Sequence, residues 1–249
     1  MTDIGLLNEK SLHADLKAWY ARPDDEIEVK IDGYFIDIVQ RPHRLRERQG
    51  NYGVQEDQEL QDHLLVEIQT GNFSAIKHKL TDLTARHSLR LVYPIAQEKW
   101  IVKRPRLKGD SRTRRKSPKR GQVVDIFREL VYFPEMLNSP NFSLEVLLIQ
   151  EEEVRRYDGR KGWRRGGWVT EERHLLSVVE RRLFQDREDL WRLIPSKLPK
   201  EFTTADLTRV MKIPKRTAGQ VAYCLRRMNA IEQIGKSGRS YLYARRSEK

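Results

Sequence analysis

The chain has 249 residues and a single cysteine, Cys224. One thiol excludes an internal disulfide framework and any zinc site built on several thiolates. Long apolar runs are missing as well. None approaches the roughly eighteen residues that a membrane helix needs, and Met1 to Ser11 lacks the basic-then-apolar order of a signal peptide. A soluble, cytoplasmic protein with no membrane partner is therefore expected. Acidic side chains are the minority, 36 Asp and Glu against 48 Lys and Arg, for a net charge of +12. The hydrophobic share of 38% exceeds that of a wholly disordered chain. Such a chain should fold, and should favour polyanions.

The charge is unevenly placed. Residues 1–102 carry a net −4, residues 103–196 a net +7 and residues 197–249 a net +9. A mildly acidic third beside two basic ones fits a carboxylate-bearing site on a scaffold that holds a phosphate backbone, although charge alone does not separate this from unspecific basicity. The most biased stretch, Lys103 to Arg120, has ten basic residues against Asp110. It reads as a solvated linker or loop, and it marks a boundary.

In the N-terminal third, Leu12, Leu16 and Tyr20 recur every four residues, the spacing of an amphipathic helix, with Glu9 at the edge of its stripe. Glu26 to Gln40 (EIEVKIDGYFIDIVQ) reads as a β-hairpin about Asp32-Gly33, a pair that tolerates the positive φ of a two-residue turn. Its second strand is apolar except for Asp37, a carboxylate that is costly to bury unpaired. Residues 64–71 (LLVEIQTG) read as another short strand, on which alternation places Glu67 and Gln69 on one face. A helix follows from about Asn72, with Phe73, Ile76, Leu80 and Leu83 as its stripe and Lys77 and Lys79 beside it. Leu89 to Tyr93 and Lys99 to Val102 read as two further strands.

This order, with Asp37 on one strand and Glu-x-Gln on the next, resembles the PD-(D/E)xK nuclease superfamily over roughly residues 6–102. The resemblance implies a restriction-endonuclease-like α/β fold, a mixed sheet flanked by helices. It implies that Asp37 and Glu67 bind Mg²⁺ or Mn²⁺, with Glu9 completing the metal environment, and that a lysine orients the nucleophile. Gln69 stands where that pattern has lysine. Its carbonyl can coordinate a metal or its amide orient water, and Lys77, Lys79 or Lys30 could supply the missing charge. Bound to two hard carboxylates, such an ion lowers the pKa of water and neutralises charge on a phosphodiester. The competing reading of Asp37, Glu67 and Gln69 is a buried polar cluster paired with Arg or Lys.

Residues 40–63 read as a long insertion whose Arg44, Arg46 and Arg48 could grip the DNA backbone, while His43 and His63 lack a spaced metal partner. Val123 to Leu137 reads as a helix up to Pro134, and Phe142 to Gln150 as a buried strand. The Arg/Gly/Trp cluster of Glu151 to Trp168 suits backbone contact and base stacking, or else a turn whose tryptophans pack inward.

From Lys197 the order is a capped helix at Thr203 to Asp206, a second helix over Pro214 to Met228, and a hairpin about Gly235 to Arg239. Ala218, Val221, Leu225 and Met228 face inward. This resembles a winged helix, a small α+β DNA-binding domain, over roughly residues 188–246. The resemblance implies that Lys215, Arg216, Thr217, Gln220 and Tyr223 point toward a major groove, with Lys236 and Arg239 on the wing. Cys224 reads as an unreactive, half-buried thiol.

The expected division is thus a nuclease-like core (1–102), a basic linker (103–122), a middle α/β segment that could extend the core (123–187) and a winged helix (188–249). The function expected is metal-dependent hydrolysis of duplex or branched DNA. A non-catalytic DNA-binding or regulatory protein with a degenerate core is the alternative, and RNA stands behind DNA as a partner. A homodimer would suit such nucleases, but no residue pattern specifies an interface.

Overall fold

A computed structural model describes residues 11–41, 63–107 and 110–246. It is a mixed α/β structure with a seven-stranded sheet flanked by helices, followed by a smaller three-stranded sheet with its own helices. Among the described residues no helix is long and apolar enough to cross a membrane.

Helix α1 (Ser11–Tyr20) buries Leu12, Leu16 and Tyr20 on one face of the large sheet, against Ile38, Val66, Ile68, Val92, Leu147 and Ile149. Strands β1 (Glu26–Ile31) and β2 (Tyr34–Gln40) form the hairpin expected from Asp32-Gly33. Both turn residues have positive φ, 50° and 86°, as a two-residue connection matching strand twist requires. β2 pairs antiparallel with β3 (Leu64–Ile68), and β3 runs parallel to β4 (Ser88–Lys103). Crossing from β3 to β4 are a 3₁₀ turn (Phe73–Ile76) and helix α2 (Lys77–Thr84), which bury Phe73, Leu80 and Leu83 on the face opposite α1.

The sheet does not end at residue 102. β4 is one sixteen-residue strand where two short ones were expected. Its first half pairs with β3, and its far half pairs with β5 (Thr113–Lys116), so the stretch expected to be a linker is an edge hairpin. Composition misled here because β5 is exposed throughout and needs no apolar side chains. Its charges find partners on the sheet: Arg112 and Arg114 meet Glu152 at 3.2 and 2.8 Å, and Lys116 and Arg120 meet Glu98 at 2.7 and 3.1 Å. β6 (Phe142–Tyr157) lies parallel to β4, and β7 (Trp168–Phe184) returns antiparallel to β6, so the middle segment extends the core. The helix expected from Val123 up to Pro134 is instead a 3₁₀ turn (Val123–Ile126) and the one-turn helix α3 (Phe127–Leu130), with a further 3₁₀ turn from Pro134 to Asn138. Pro134 has no amide proton with which to continue a helix.

After α4 (Arg187–Trp191) come β8 (Glu201–Phe202), α5 (Thr204–Met211), α6 (Lys215–Arg227), β9 (Ile231–Ser237) and β10 (Ser240–Arg245), with sheet order β8-β10-β9. Thr203 and Asp206 form the reciprocal capping box expected at the start of α5. The inward positions Ala218, Val221, Leu225 and Met228 of the α6 segment are buried at 0% exposure, in one apolar cluster with Phe127 and Leu130 of α3. Cys224 is buried beside the Phe127 carbonyl, and burial pushes its thiol up to about 12, so it stays protonated and inert.

Candidate functional site

The β2–β3 ladder runs from Gln40↔Leu64 to Ile38↔Val66 and stops there. One step further, where Asp37 would face Glu67, the Asp37 carboxylate takes the place of a strand partner. Its Oδ2 accepts the Ile68 amide at 2.7 Å and lies 3.2 Å from His13 Nε2 on α1. On the α2 side, Lys79 Nζ donates to Glu67 Oε2 at 2.6 Å and to the Phe35 carbonyl at 2.5 Å. The corner where β2 leaves β3 therefore gathers two acidic groups, one lysine and one histidine from four elements.

The two acids respond differently to one another. For Asp37, burial opposes ionisation, but the His13 hydrogen bond and charge, the Ile68 amide and Lys79 outweigh it and hold the carboxyl below its usual range. For Glu67, burial and the nearby Asp37 charge outweigh Lys79 and push the carboxyl up to about 7. Glu67 is thus the acid that burial, more than its neighbour, disposes to hold a proton near neutrality. Carboxylate oxygens are hard donors suited to a divalent cation, and Asp37 and Glu67 are the residues that would hold one. Among the described residues no group of three His, Cys, Asp or Glu side chains is placed to share one ion.

Of the other expected site residues, Lys79 enters the site, whereas Lys77 and Lys30 are exposed. Gln69 follows β3, and its amide donates to the Asn72 carbonyl at 2.9 Å, helping to close the turn into the next helix. Glu9, Arg44, Arg46 and Arg48 lie outside the described residues. On α6 and the following hairpin, Lys215, Arg216, Tyr223, Lys236 and Arg239 are exposed and Gln220 is half-buried. Thr217 is a correction. It was expected to point outward, yet it is 2% exposed, because it adjoins Ala218 and shares the inward face with Val221.

His13 escaped the sequence reading. The periodicity that singled out Glu9 applies equally to His13, four residues on. A second buried charge cluster was also missed, on the far half of the sheet. Glu151 is 0% exposed and Glu153 is 4% exposed. Lys99 lies 2.7 Å from Glu151 and 2.9 Å from Glu153, Arg173 lies 2.5 Å from Glu151, and Arg155 lies 2.7 Å from Glu153. The only hint was Glu151-Glu152-Glu153 directly after an apolar run.

A family described as a domain of unknown function (DUF8091) matches residues 10–52 and 54–185, and the chain belongs to that family. The match ends one residue after β7, so α4 and everything beyond it lie outside the matched domain. An uncharacterized protein of Treponema pallidum (strain Nichols) is 27% identical over 248 residues, covering 96% of this chain and 86% of that relative. No solved structure matches.

Proposed function

We propose that the protein is a metal-dependent endonuclease of the PD-(D/E)xK kind, carried to DNA by a C-terminal winged helix. The observation that carries this reading is the meeting of Asp37 and Glu67 where β2 parts from β3, with Lys79 reaching in from α2. Lys79 stands in for the lysine absent at Gln69, since a helix behind the strand can deliver the same charge. In the C-terminal unit, three helices and a β8-β10-β9 sheet agree with a winged helix, and α6 presents Lys215 and Arg216 to solvent at its start.

A bound Mg²⁺ or Mn²⁺ would lower the pKa of water and offset charge on the phosphodiester. The chain's own residues prepare that site. Asp37 is kept ionised by His13 and the Ile68 amide, and Lys79 is fixed by the Phe35 carbonyl so that its ammonium stays beside Glu67. Burial excludes bulk water, which strengthens each of these interactions.

A second reading is a binding protein without cleavage. It is favoured by the closeness of Lys79 to Glu67 and by Gln69 being turned to its own loop. The test is incubation of supercoiled plasmid, linear duplex, branched junction and single-stranded DNA with Mg²⁺ or Mn²⁺, beside an EDTA lane and Glu67→Ala. Metal-dependent cutting lost in the variant supports the nuclease. Binding without cutting on every substrate, together with no metal uptake that depends on Glu67, supports the second reading.

A further inference from the structure

A cleft of about 890 Å³ opens between β4, the strap of residues 117–122 and the turn joining α5 to α6. The strap is pressed onto β4 at Gly121, whose amide donates to the Ala96 carbonyl at 2.9 Å. A Cβ at this position would lie 2.5 Å from Ile95 and 2.6 Å from the Ala96 oxygen. No side chain fits there, so the strap is a fixed wall.

Nine Lys and Arg residues line the cleft against Asp125, Glu129 and Glu153. Those acids are already engaged: Asp125 with Arg128 at 2.8 Å, Glu129 with the Phe73 amide at 3.3 Å, and Glu153 with Lys99 and Arg155. Three lining cations, Arg115 on β5, Lys119 on the strap and Lys212 at the end of α5, have no carboxylate partner among the described residues. They come from three separate elements around a cleft larger than one small anion would fill. At the rim, Arg165 lines the cleft from a 3₁₀ turn (Trp163–Arg165) whose first residue, Trp163, is 79% exposed. The Arg164 guanidinium lies 4.9 Å from the Trp163 ring centroid while most of the indole faces solvent, and an exposed aromatic with cations near it is a pairing that unpaired bases and their phosphates recognise.

We infer that this cleft binds an unpaired polynucleotide strand, with phosphates along Arg115, Lys119 and Lys212 and a base stacked on Trp163. A duplex hides its base faces within its own stack, so it cannot use Trp163. The inference does not depend on whether the Asp37 and Glu67 corner cuts.

The test is fluorescence anisotropy of the full chain with labelled oligo-dT, oligo-rU and a blunt duplex, across a salt series and with polyglutamate as competitor. Trp163→Ala alters an exposed side chain, and circular dichroism checks that each variant folds. The expected result is a loss of about fivefold or more for the single strands with little change for the duplex. In the Arg115→Ala, Lys119→Ala, Lys212→Ala triple variant, the slope of log affinity against log salt for single strands should fall by about 2. The two oligonucleotide arms tell DNA from RNA, and tight binding of either supports the site. The inference is overturned if wild type binds neither strand, if Trp163→Ala leaves single-strand affinity unchanged, or if polyglutamate displaces the strands at equal charge.

Discussion

The two buried acidic clusters described above share one sheet and have opposite electrostatic characters. On the far half, burial alone would raise Glu153, but hydrogen bonds from Arg155, Lys99 and Thr170 hold it down at about 2. Where β2 leaves β3, Glu67 has one lysine and faces Asp37, and it is pushed up to about 7. The first cluster has supplied its own counter-charge and reads as architecture, joining β4, β6 and β7. The second has been left incomplete. Acids perturbed in this way cluster at functional sites, and structural ion-pair networks produce them too.

The comparison can be broken most forcefully at Lys99, which bridges Glu151 and Glu153. Lys99→Met should destabilise the fold by about 3–5 kcal/mol in a urea titration, because two buried carboxylates lose a shared cation. A loss below about 1 kcal/mol would mean the far cluster is not held together by charge. At the incomplete cluster a neutralising change should act in the opposite direction. Glu67 has a folded pKa raised above its unfolded value, so the native state holds the extra proton and stability falls as pH rises between about 4.5 and 7. Glu67→Gln removes that penalty: the variant should gain on the order of 1–3 kcal/mol at about pH 8 and nothing near pH 4. In the same measurement, Mg²⁺ should raise the melting temperature of wild type above neutral pH but not that of the variant. The smallest effect is expected at His13. His13→Ala removes one hydrogen bond from Asp37, which should cost about 1 kcal/mol and move the Asp37 carboxyl upward in an NMR titration. An unmoved Asp37 would show that the Ile68 amide and Lys79 suffice without it.

How far these clusters could be read in advance depended on the physics that formed them. Local chemistry was legible: Asp32-Gly33 specified its turn, Thr203 and Asp206 their cap, and the four-residue spacing of Leu12, Leu16 and Tyr20 a helix face. Asp37 and Glu67 were legible because a lone acid in an apolar strand is conspicuous. Thr217 was misjudged because its polarity was weighed above its position four residues before the inward Val221. The far half of the sheet was hidden for a different reason. β4, β6 and β7 carry cross-strand ion pairs there beside buried Ile101, Val102 and Val154, and pairs such as Lys99 with Glu153 join residues 54 positions apart. Charge on β5 argued for solvation, which was correct, but solvation and strand pairing are compatible on a sheet edge.

The sharing of one apolar cluster by α3 and α6 has a metrical consequence. Leu225 and Val221 are packed with Phe127 and Leu130, which rest on the large sheet, so the spacing between Glu67 and the exposed start of α6 is set by side-chain packing. It is not set by a tether that can lengthen or swing. If α6 reads a sequence and the Asp37 corner cuts, the molecule works as a ruler, and the break falls at one constant offset from the bases that were read.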